Sequence, residues 1–420
     1  MNKRSFIKST ALAGLGTSLG METLAALFES KKSVEATVLA QDEAFWSSIR
    51  AQYLLKPDYI NLENGYYNFI PEPLLEKFIG HVRHVNYHGS WYMRNNAVDN
   101  KKSVVEKLSQ LAGCSPEELA ITRNTTESMD IVITGKHWQA GDETIMAEQD
   151  YGSMIEAMRH VANRYGVVNK MVSVPNHPQS DEEIVSLYQN AITPKTKLIL
   201  VSHMINITGQ ILPIRKICDM AHRKGVEVLV DGAHAIAHFQ FKISELNCDY
   251  YGSSLHKWLS TPLGAGLLYV NQQRMPELWP LIVGWEKDPN KILRISHTGT
   301  HPAHTDLTIA DSIDYYNMIG AERKEARLRF LQQYWTSRVR KTPRIIVNTP
   351  VDPARSCGIA NVGIEGIKPG DLAKRLLEEH KIFTVAIDGA NVFGCRITPN
   401  VYTTIEELDK FVKALKTLAA

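Results

Sequence analysis

Two residues of opposite charge stand at the ends of consecutive strand-like segments, in the stretches EVLVDGAHA and DYYGSSLHKWLS. Asp231 follows a mostly apolar run, where a carboxylate is costly unless it faces a cation. Lys257 ends the next such segment, before a turn rich in Pro and Gly. One chemical use of this pair is to hold pyridoxal 5′-phosphate, since a lysine amine condenses with its aldehyde and an aspartate keeps its ring nitrogen protonated. An ordinary Asp–Lys ion pair is the alternative.

Three further strand ends carry side chains that could contact such a cofactor. The stretch RNTTESMD places Thr125 and Thr126 where a strand meets a helix. Free backbone N–H groups there could hold a phosphate, although a plain helix N-cap is common. Asn206 follows another strand, within reach of a phenolic oxygen or a substrate carboxylate, and Tyr151 follows a third, where it could stack on a pyridine ring. Their coincidence at successive strand ends favours a cofactor site.

The elements that must position these residues alternate between apolar strands and helical patterns from about residue 101 onward. The alternation predicts an α/β domain with a mainly parallel sheet. Its strands are predicted at 118–123, 143–148, 197–203, 227–232, 248–254 and 264–270. After about residue 305 the pattern changes to one long charged helix, strand-like segments and two further helices, which predicts a smaller α+β domain. We predict an N-terminal arm and large domain over 41–300, and the small domain over 301–420.

Composition excludes several other classes of protein. The formal net charge of +2, from 47 basic and 45 acidic side chains, indicates no nucleic-acid partner. Five scattered cysteines without a CxxC pair favour neither a disulfide framework nor a zinc site. His297, His301 and His304 have a spacing that could suggest a metal-dependent hydrolase. Gly299 and Pro302 interrupt the helix that would align them, so we expect no metal.

Residues 1–40 are predicted to be an export signal and linker. Their basic start and glycine-interrupted apolar stretch are too short and too weakly apolar for a membrane span. The stretch KRSFIK resembles the twin-arginine export motif with lysine in place of the first arginine, and Val38-Leu39-Ala40 is a candidate cleavage site. We therefore expect export after folding and a periplasmic enzyme. A frayed amphipathic tail on a cytoplasmic protein is the alternative.

Six motifs occur in the order and spacing of one protein family: NTTES, NITGQILPI, VDGAHA, SSLHKW, GTHPA and CRITPNVYTTIEELDKFV. They resemble the class V aminotransferase group of fold-type I pyridoxal-phosphate enzymes, over roughly residues 58–418. The chain most resembles the isopenicillin N epimerase-like branch, and it is also similar to exported members that modify siderophore peptides in the periplasm. The resemblance implies a large domain with a mainly parallel seven-stranded sheet, a smaller α+β C-terminal domain, and pyridoxal 5′-phosphate as the cofactor.

The resemblance also implies a role for each matched residue. Lys257 would be the Schiff-base lysine, and Asp231 would pair with the pyridine nitrogen. Arg396 would clamp the α-carboxylate of the substrate. The other cofactor contacts would come from a ring-stacking tyrosine, a histidine beside the phenolic oxygen and a group around the phosphate: Tyr151, His234, Thr126, Ser254, His256 and Thr300. Thr300 would reach in from a second subunit, which implies a homodimer.

These observations predict a pyridoxal-phosphate enzyme that acts, as an epimerase or aminotransferase, at the α-carbon of an amino acid or of the amino-acid end of a small peptide. Cysteine desulfurases of the group need a nucleophilic cysteine before the carboxylate-binding arginine, and the stretch KIFTVAIDGANVFG has none. Cys395 adjoins Arg396 and is expected to point away from it in a strand. A carbon–sulfur lyase without that cysteine is one alternative, and a non-catalytic binding module of the same fold is another.

Overall fold

The computed structural model describes residues 21–420, so the candidate export motif at residues 3–8 lies outside the described part of the chain. The α-helices are Met21–Ser30, Ala36–Leu39, Glu43–Arg50, Glu72–His88, Ser90–Asn95, Ala97–Ala112, Thr125–Gly135, Gly152–Tyr165, Asp181–Ala191, Ile214–His222, Ile243–Leu246, Ala303–Ile319, Ala321–Val339, Pro369–His380 and Ile405–Ala419. The strands are β1 (Ile60–Asn61), β2 (Leu119–Thr122), β3 (Glu143–Ala147), β4 (Val168–Val172), β5 (Thr196–Ser202), β6 (Glu227–Asp231), β7 (Tyr250–Ser254), β8 (Gly266–Val270), β9 (Ile345–Val347), β10 (Ala360–Ile364), β11 (Ile382–Phe383), β12 (Val385–Gly389) and β13 (Val392–Ile397). No helix within residues 21–420 is long and apolar enough to cross a membrane.

Seven strands form the central sheet, in the order β2-β8-β7-β6-β5-β3-β4. The strands β3 to β7 pair in parallel, and β8 lies antiparallel to both of its neighbours, β7 and β2. The predicted α/β fold with a mainly parallel sheet is therefore confirmed. All six predicted strands lie within two residues of their expected bounds. The strand β4 was not predicted, because it is a half-exposed edge strand without a continuous apolar run.

The central parallel strands are buried on both faces, which explains why their sequences are continuously apolar rather than alternating. In β5, Ile199 and Val201 lie in one hydrophobic core, while Leu198 and Leu200 lie in the core on the opposite face. The side chains of β6 divide between the two cores in the same way. Because these strands run in one direction, their carboxyl ends meet at one edge of the sheet.

A second sheet of four antiparallel strands, β12-β13-β10-β9, forms the C-terminal part of the fold and has a core of its own. The single long helix predicted after residue 305 is wrong. Two helices, Ala303–Ile319 and Ala321–Val339, meet at Gly320, whose φ of +94° is a conformation that glycine adopts without strain. The first helix packs on the large core, and the second contacts both cores. The domain boundary at residue 300 stays a prediction.

The segment before residue 65 lies against both parts of the fold. Leu24, Phe28 and Leu39 are buried in the large core, and the indole N–H of Trp46 donates to the carbonyl of Leu39 at 2.8 Å. The candidate cleavage site at 38–40 therefore lies at the end of a short helix that is packed on that core. Further along, β1 pairs with β11 in parallel, which joins the N-terminal arm to the C-terminal part.

Candidate active site

A cavity of about 260 Å³ opens at the carboxyl edge of the large sheet. It is lined by the residues that follow the strands, by the segment after β1 and by β13, namely Gly65, Tyr66, Asn124, Thr125, Thr126, Tyr151, Met154, Ser202, Met204, Asn206, Asp231, Ala233, His234, Ser254, His256, Lys257, Leu263 and Arg396. The structure thus brings together all of the predicted site residues except Thr300. That threonine is exposed and lies outside this lining.

Lys257 lies in the turn after β7, with its Nζ 3.0 Å from Nε2 of His234. The other ring nitrogen of His234, Nδ1, accepts a hydrogen bond from the indole N–H of Trp258 at 3.3 Å. Because an indole nitrogen can only donate, the proton of a neutral His234 ring must be on Nε2, which then donates to Lys257. This hydrogen bond therefore forms with the neutral amine of Lys257, which can accept, and not with its protonated form.

Burial shifts both groups toward their neutral forms. Burial and the positive charge of Arg396 together lower the pKa of Lys257 from 10.5 to about 8, against the negative charge of Asp231. Burial also lowers the pKa of His234 well below its usual range, and the charge of Lys257 adds to the effect. A lysine that can gain or lose a proton near neutral pH is suited to general acid–base chemistry.

Trp258 is fixed from several sides, so its hydrogen bond to His234 has a defined direction. Its ring stacks on His238 with centroids 3.6 Å apart, and its backbone carbonyl accepts a hydrogen bond from Nζ of Lys324. Lys324 comes from the helix Ala321–Val339 and is buried, which lowers its pKa to about 7. The sequence carried no signal for these contacts, because they join elements that are distant along the chain.

Two buried carboxyl groups lie near the carboxyl edge of the sheet, of which Asp231 lines the cavity and Asp150 does not. Asp231, at the end of β6, accepts a hydrogen bond from the backbone N–H of Ala233 at 3.0 Å, and burial raises its pKa. Asp150 accepts from the backbone N–H of Ala147 at 2.7 Å and from the hydroxyl of Ser202 at 2.7 Å. Burial raises the pKa of Asp150 to about 7, and the negative charge of Asp231 contributes. Asp150 was missed in the sequence, although it directly precedes Tyr151 at a strand end.

The helix Thr125–Gly135 begins at another wall of the cavity. Asn124 caps it, with its side chain accepting from the N–H of Glu127 at 3.0 Å. The hydroxyls of Thr125 and Ser254 lie 2.7 Å apart, and the N–H of Thr125 donates to Ser254 at 2.9 Å. Nδ1 of His256 is buried and has no hydrogen-bond partner within the described residues. Hydroxyls, a helix N-terminus and a free ring nitrogen fit the phosphate of pyridoxal phosphate.

Arg396, on β13, lies at the far wall and is paired with a residue that the sequence analysis did not single out. Its Nη2 lies 2.5 Å from Oε1 of Glu63, and its Nε lies 3.2 Å from Oε2. Its Nη1 donates to the backbone carbonyl of Asn206 at 3.4 Å. The sequence suggested a role for the amide side chain of Asn206, whereas the contact in the structure is made by its carbonyl. Gly65 makes room for the arginine, since a Cβ there would lie 2.7 Å from its Cζ.

Of the remaining candidates, Tyr151 borders the cavity with 45% of its surface exposed, whereas the others lie outside the lining. Cys395 is buried in the core of the small sheet and is not part of the cavity lining. His301 pairs with Asp306 at 3.0 Å. Among residues 21–420 there is no group of three or more His, Cys, Asp or Glu side chains placed to hold a metal ion.

Comparison with known proteins gives one family. The family described as Aminotransferase class-V matches residues 75–411. The isopenicillin N epimerase of Streptomyces clavuligerus is 28% identical over 392 residues, which cover 89% of this chain and 98% of the relative.

Solved structures share the fold. The apo cysteine desulfurase from Thermococcus onnurineus NA1 superposes with a TM-score of 0.78 at 20% identity, covering 88% of this chain and 97% of that one. A C-DES mutant with glycine covalently linked to its PLP cofactor has a TM-score of 0.78 at 21% identity, with 87% and 98% covered.

Proposed function

The chain belongs to the class V aminotransferase family and is a pyridoxal 5′-phosphate-dependent enzyme, and we propose that it acts at the α-carbon of an amino acid or of the amino-acid end of a small peptide. The observation that carries this proposal is the contact between Nζ of Lys257 and Nε2 of His234, in a cavity that also contains Asp231 and Arg396. When bound, pyridoxal phosphate supplies an aldehyde that captures amines and a ring that withdraws electrons from the α-carbon.

Lys257 moves a proton to and from the α-carbon of the substrate. Its pKa of about 8 lets the amine act as a base and then, once protonated, as an acid at nearly the same pH. His234 holds the amine by a hydrogen bond from Nε2 and thereby sets its direction. Asp231 would favour a proton on the pyridine nitrogen of the cofactor through its negative charge.

Other residues bind and orient. Thr125, Thr126, Ser254 and His256 would hold the phosphate of the cofactor, and Tyr151 would lie against its ring. Thr300 completes the phosphate site from a second subunit, so the active form is a homodimer. Arg396 and Asn206 lie at the end of the cavity that receives the substrate. The assignments around the cavity rest on the positions of the side chains and on the family pattern, whereas that of Thr300 rests on the family pattern alone.

Epimerisation and transamination both begin with removal of the α-proton, so Lys257 serves either reaction. The similarity to isopenicillin N epimerase favours epimerisation. A carbon–sulfur lyase is the second candidate, because cysteine desulfurases share the fold. The described cavity lining contains no cysteine, which disfavours a persulfide route.

Borohydride reduction tests the proposal. Protein loaded with pyridoxal phosphate, reduced and digested should carry the cofactor on the peptide containing Lys257. A Lys170→Ala protein, changed at a strand that does not line the cavity, should behave like the wild type. A Lys257→Ala protein that purifies with the same reducible chromophore would refute the proposal.

An amino-acid panel then separates the reactions. Exchange of the α-proton with solvent, without keto acid, supports an epimerase, whereas keto acid with aminated cofactor supports an aminotransferase. Release of a sulfur product from cysteine or cystine supports the lyase. No exchange with any amino acid or peptide supports the non-catalytic binding module.

We also propose that the chain is exported to the periplasm through its twin-arginine-like start. Leu24, Phe28 and Leu39 are buried in the large core, so processing that keeps this core intact must occur before residue 24. A tagged full-length chain should be recovered from the periplasm, and Arg4→Gln should retain it in the cytoplasm, with Lys8→Gln as the control. Cytoplasmic recovery of the unchanged chain would contradict export.

A further inference from the structure

The hairpin of β12 and β13 connects one wall of the cavity with the large sheet. Its two strands pair antiparallel and are joined by Ala390 and Asn391, which have positive φ angles of 53° and 58°. Positive φ at both residues is typical of tight two-residue hairpin turns. Arg396 lies toward the other end of β13, where it lines the cavity. One strand therefore links the turn to the arginine.

The turn contacts the segment that leads into Tyr151. The side chain of Gln149, two residues before this tyrosine, is buried, and its Nε2 donates to the backbone carbonyl of Ala390 at 2.9 Å. Nδ2 of Asn391 donates to Oε2 of Glu148 at 3.1 Å. These two hydrogen bonds join the turn of the small sheet to the residues that follow β3.

The segment after β4 takes part in the same junction. Oε1 of Gln149 accepts from the backbone N–H of Val174 at 2.8 Å. The side-chain amides of Gln149 and Asn391 also donate to the hydroxyl of Ser173, at 3.2 and 3.1 Å. Asn176 donates to the backbone carbonyl of Asn391 at 3.2 Å. Three segments that are distant along the chain therefore meet at the side chains of Gln149 and Asn391.

The position of Gln149 can affect Tyr151 because the residue between them is also fixed. Asp150 accepts from the backbone N–H of Ala147 and from the hydroxyl of Ser202, so the segment has little freedom to turn on its own. If the hairpin moved away, the buried amide of Gln149 would lose its carbonyl partner, which is costly. The end of β3 is therefore expected to follow the hairpin.

We propose that Gln149 and Asn391 are positioning residues, which hold the part of the cavity wall that contains Tyr151 at a fixed distance from the part that contains Arg396. Tyr151 then keeps its place beside the cofactor ring while Arg396 orients the substrate. Both positioning residues lie outside the cavity lining. This inference rests on the proposed function and deepens it, because it adds two residues that act through Tyr151 and Arg396.

Asn391→Gly tests the inference, because glycine adopts a positive φ without strain and the variant removes only the side-chain hydrogen bonds. Hydrogen exchange of the protein loaded with pyridoxal phosphate is followed by mass spectrometry of the peptide containing residues 148–151, where the N–H groups of Glu148 and Asp150 are hydrogen-bonded. Exchange there should become about tenfold faster, since two hydrogen bonds across the junction are lost. The visible circular dichroism of the bound cofactor should also change, because it depends on how Tyr151 lies against the ring.

Asn247→Gly is the matched control. Asn247 also has a positive φ, of 56°, and its amide donates to a carboxylate, Oδ1 of Asp219 at 2.8 Å, outside the cavity lining. This variant should leave both measurements at their wild-type values. Faster exchange that is confined to the hairpin turn, an unchanged dichroism in Asn391→Gly, or the same changes in Asn247→Gly would overturn the inference.

A second variant keeps the test decisive if Asn391→Gly does not fold. Glu148→Ala removes the contact with Asn391 from the other side and should produce the same two changes, whereas wild-type exchange and dichroism in this variant would count against the inference. Failure of the proposed function is scored separately, as the absence of borohydride-fixed cofactor on Lys257.

Discussion

Replacing Trp258 by phenylalanine is expected to raise the pKa of Lys257. The indole N–H now donates to Nδ1 of His234, which places the ring proton on Nε2, 3.0 Å from Nζ of the lysine. The neutral amine of Lys257 accepts a hydrogen bond from this N–H, whereas the protonated amine would face it as one donor facing another. Without the indole donor, His234 can place its proton on Nδ1 and accept from the lysine through Nε2.

The size of the expected pKa change follows from the hydrogen bond that the protonated Lys257 gains in the variant. A hydrogen bond to a charged group contributes about 1.5–3 kcal/mol, and the protonated form of Lys257 gains such a bond in the variant. At about 1.36 kcal/mol for each pH unit, the pKa of Lys257 rises from about 8 by about 1 to 2. If burial alone lowered the pKa of Lys257, Trp258→Phe would leave that pKa unchanged, because the phenylalanine ring still excludes water from the site.

The assay is competitive labelling of the cofactor-free protein. The rate at which trace acetic anhydride acetylates Lys257 is followed against pH by mass spectrometry of its peptide, with thermal unfolding to confirm that the variant is folded. Trp279→Phe is the matched control, because the indole of Trp279 also donates to a histidine, Nδ1 of His137 at 3.2 Å, but at an exposed site. A labelling midpoint in Trp258→Phe at or below that of the wild type would refute the tautomer argument.

Three further substitutions test other parts of the structure by denaturant titration. Burial lowers the pKa of Lys324 from 10.5 to about 7, so the unfolded chain binds its proton more tightly and the wild type gains stability as the pH rises from about 7 to about 10. Lys324→Met should remove about 4 kcal/mol of that gain. If the free energy of unfolding changed with pH in the same way in the wild type and in Lys324→Met, this prediction would be wrong. Arg396→Leu leaves the buried Glu63 without its ionic partner and should cost about 3–5 kcal/mol, most of which Glu63→Gln in the same chain should restore. Gly320→Ala forces φ of +94° on a residue with a side chain and should cost about 1–2 kcal/mol, whereas Gly370→Ala, in a helix with open space around it, should not destabilise.

Much of the fold follows from local sequence patterns. Continuous apolar runs predicted β5 and β6, because a strand buried on both faces has no polar side to alternate with. Parallel strands end at one edge, so the placement of Asp231 and Lys257 at the ends of two successive predicted strands indicated that they lie close together. The break at Gly320 was missed, because helical periodicity continues on both sides of it.

The sequence by itself determined the order of the elements and the residues at the strand ends, because both depend on periodicity over short spans. Only the tertiary structure decided what state those residues are in. Glu63 lies 333 residues from Arg396 along the chain, and they pair because the N-terminal arm is tied to the residues after β13. The proton on Nε2 of His234 likewise depends on how the ring of Trp258 is turned by His238, 20 residues before it. Charge pairing and proton position depend on distances and angles between remote segments, which no local pattern encodes.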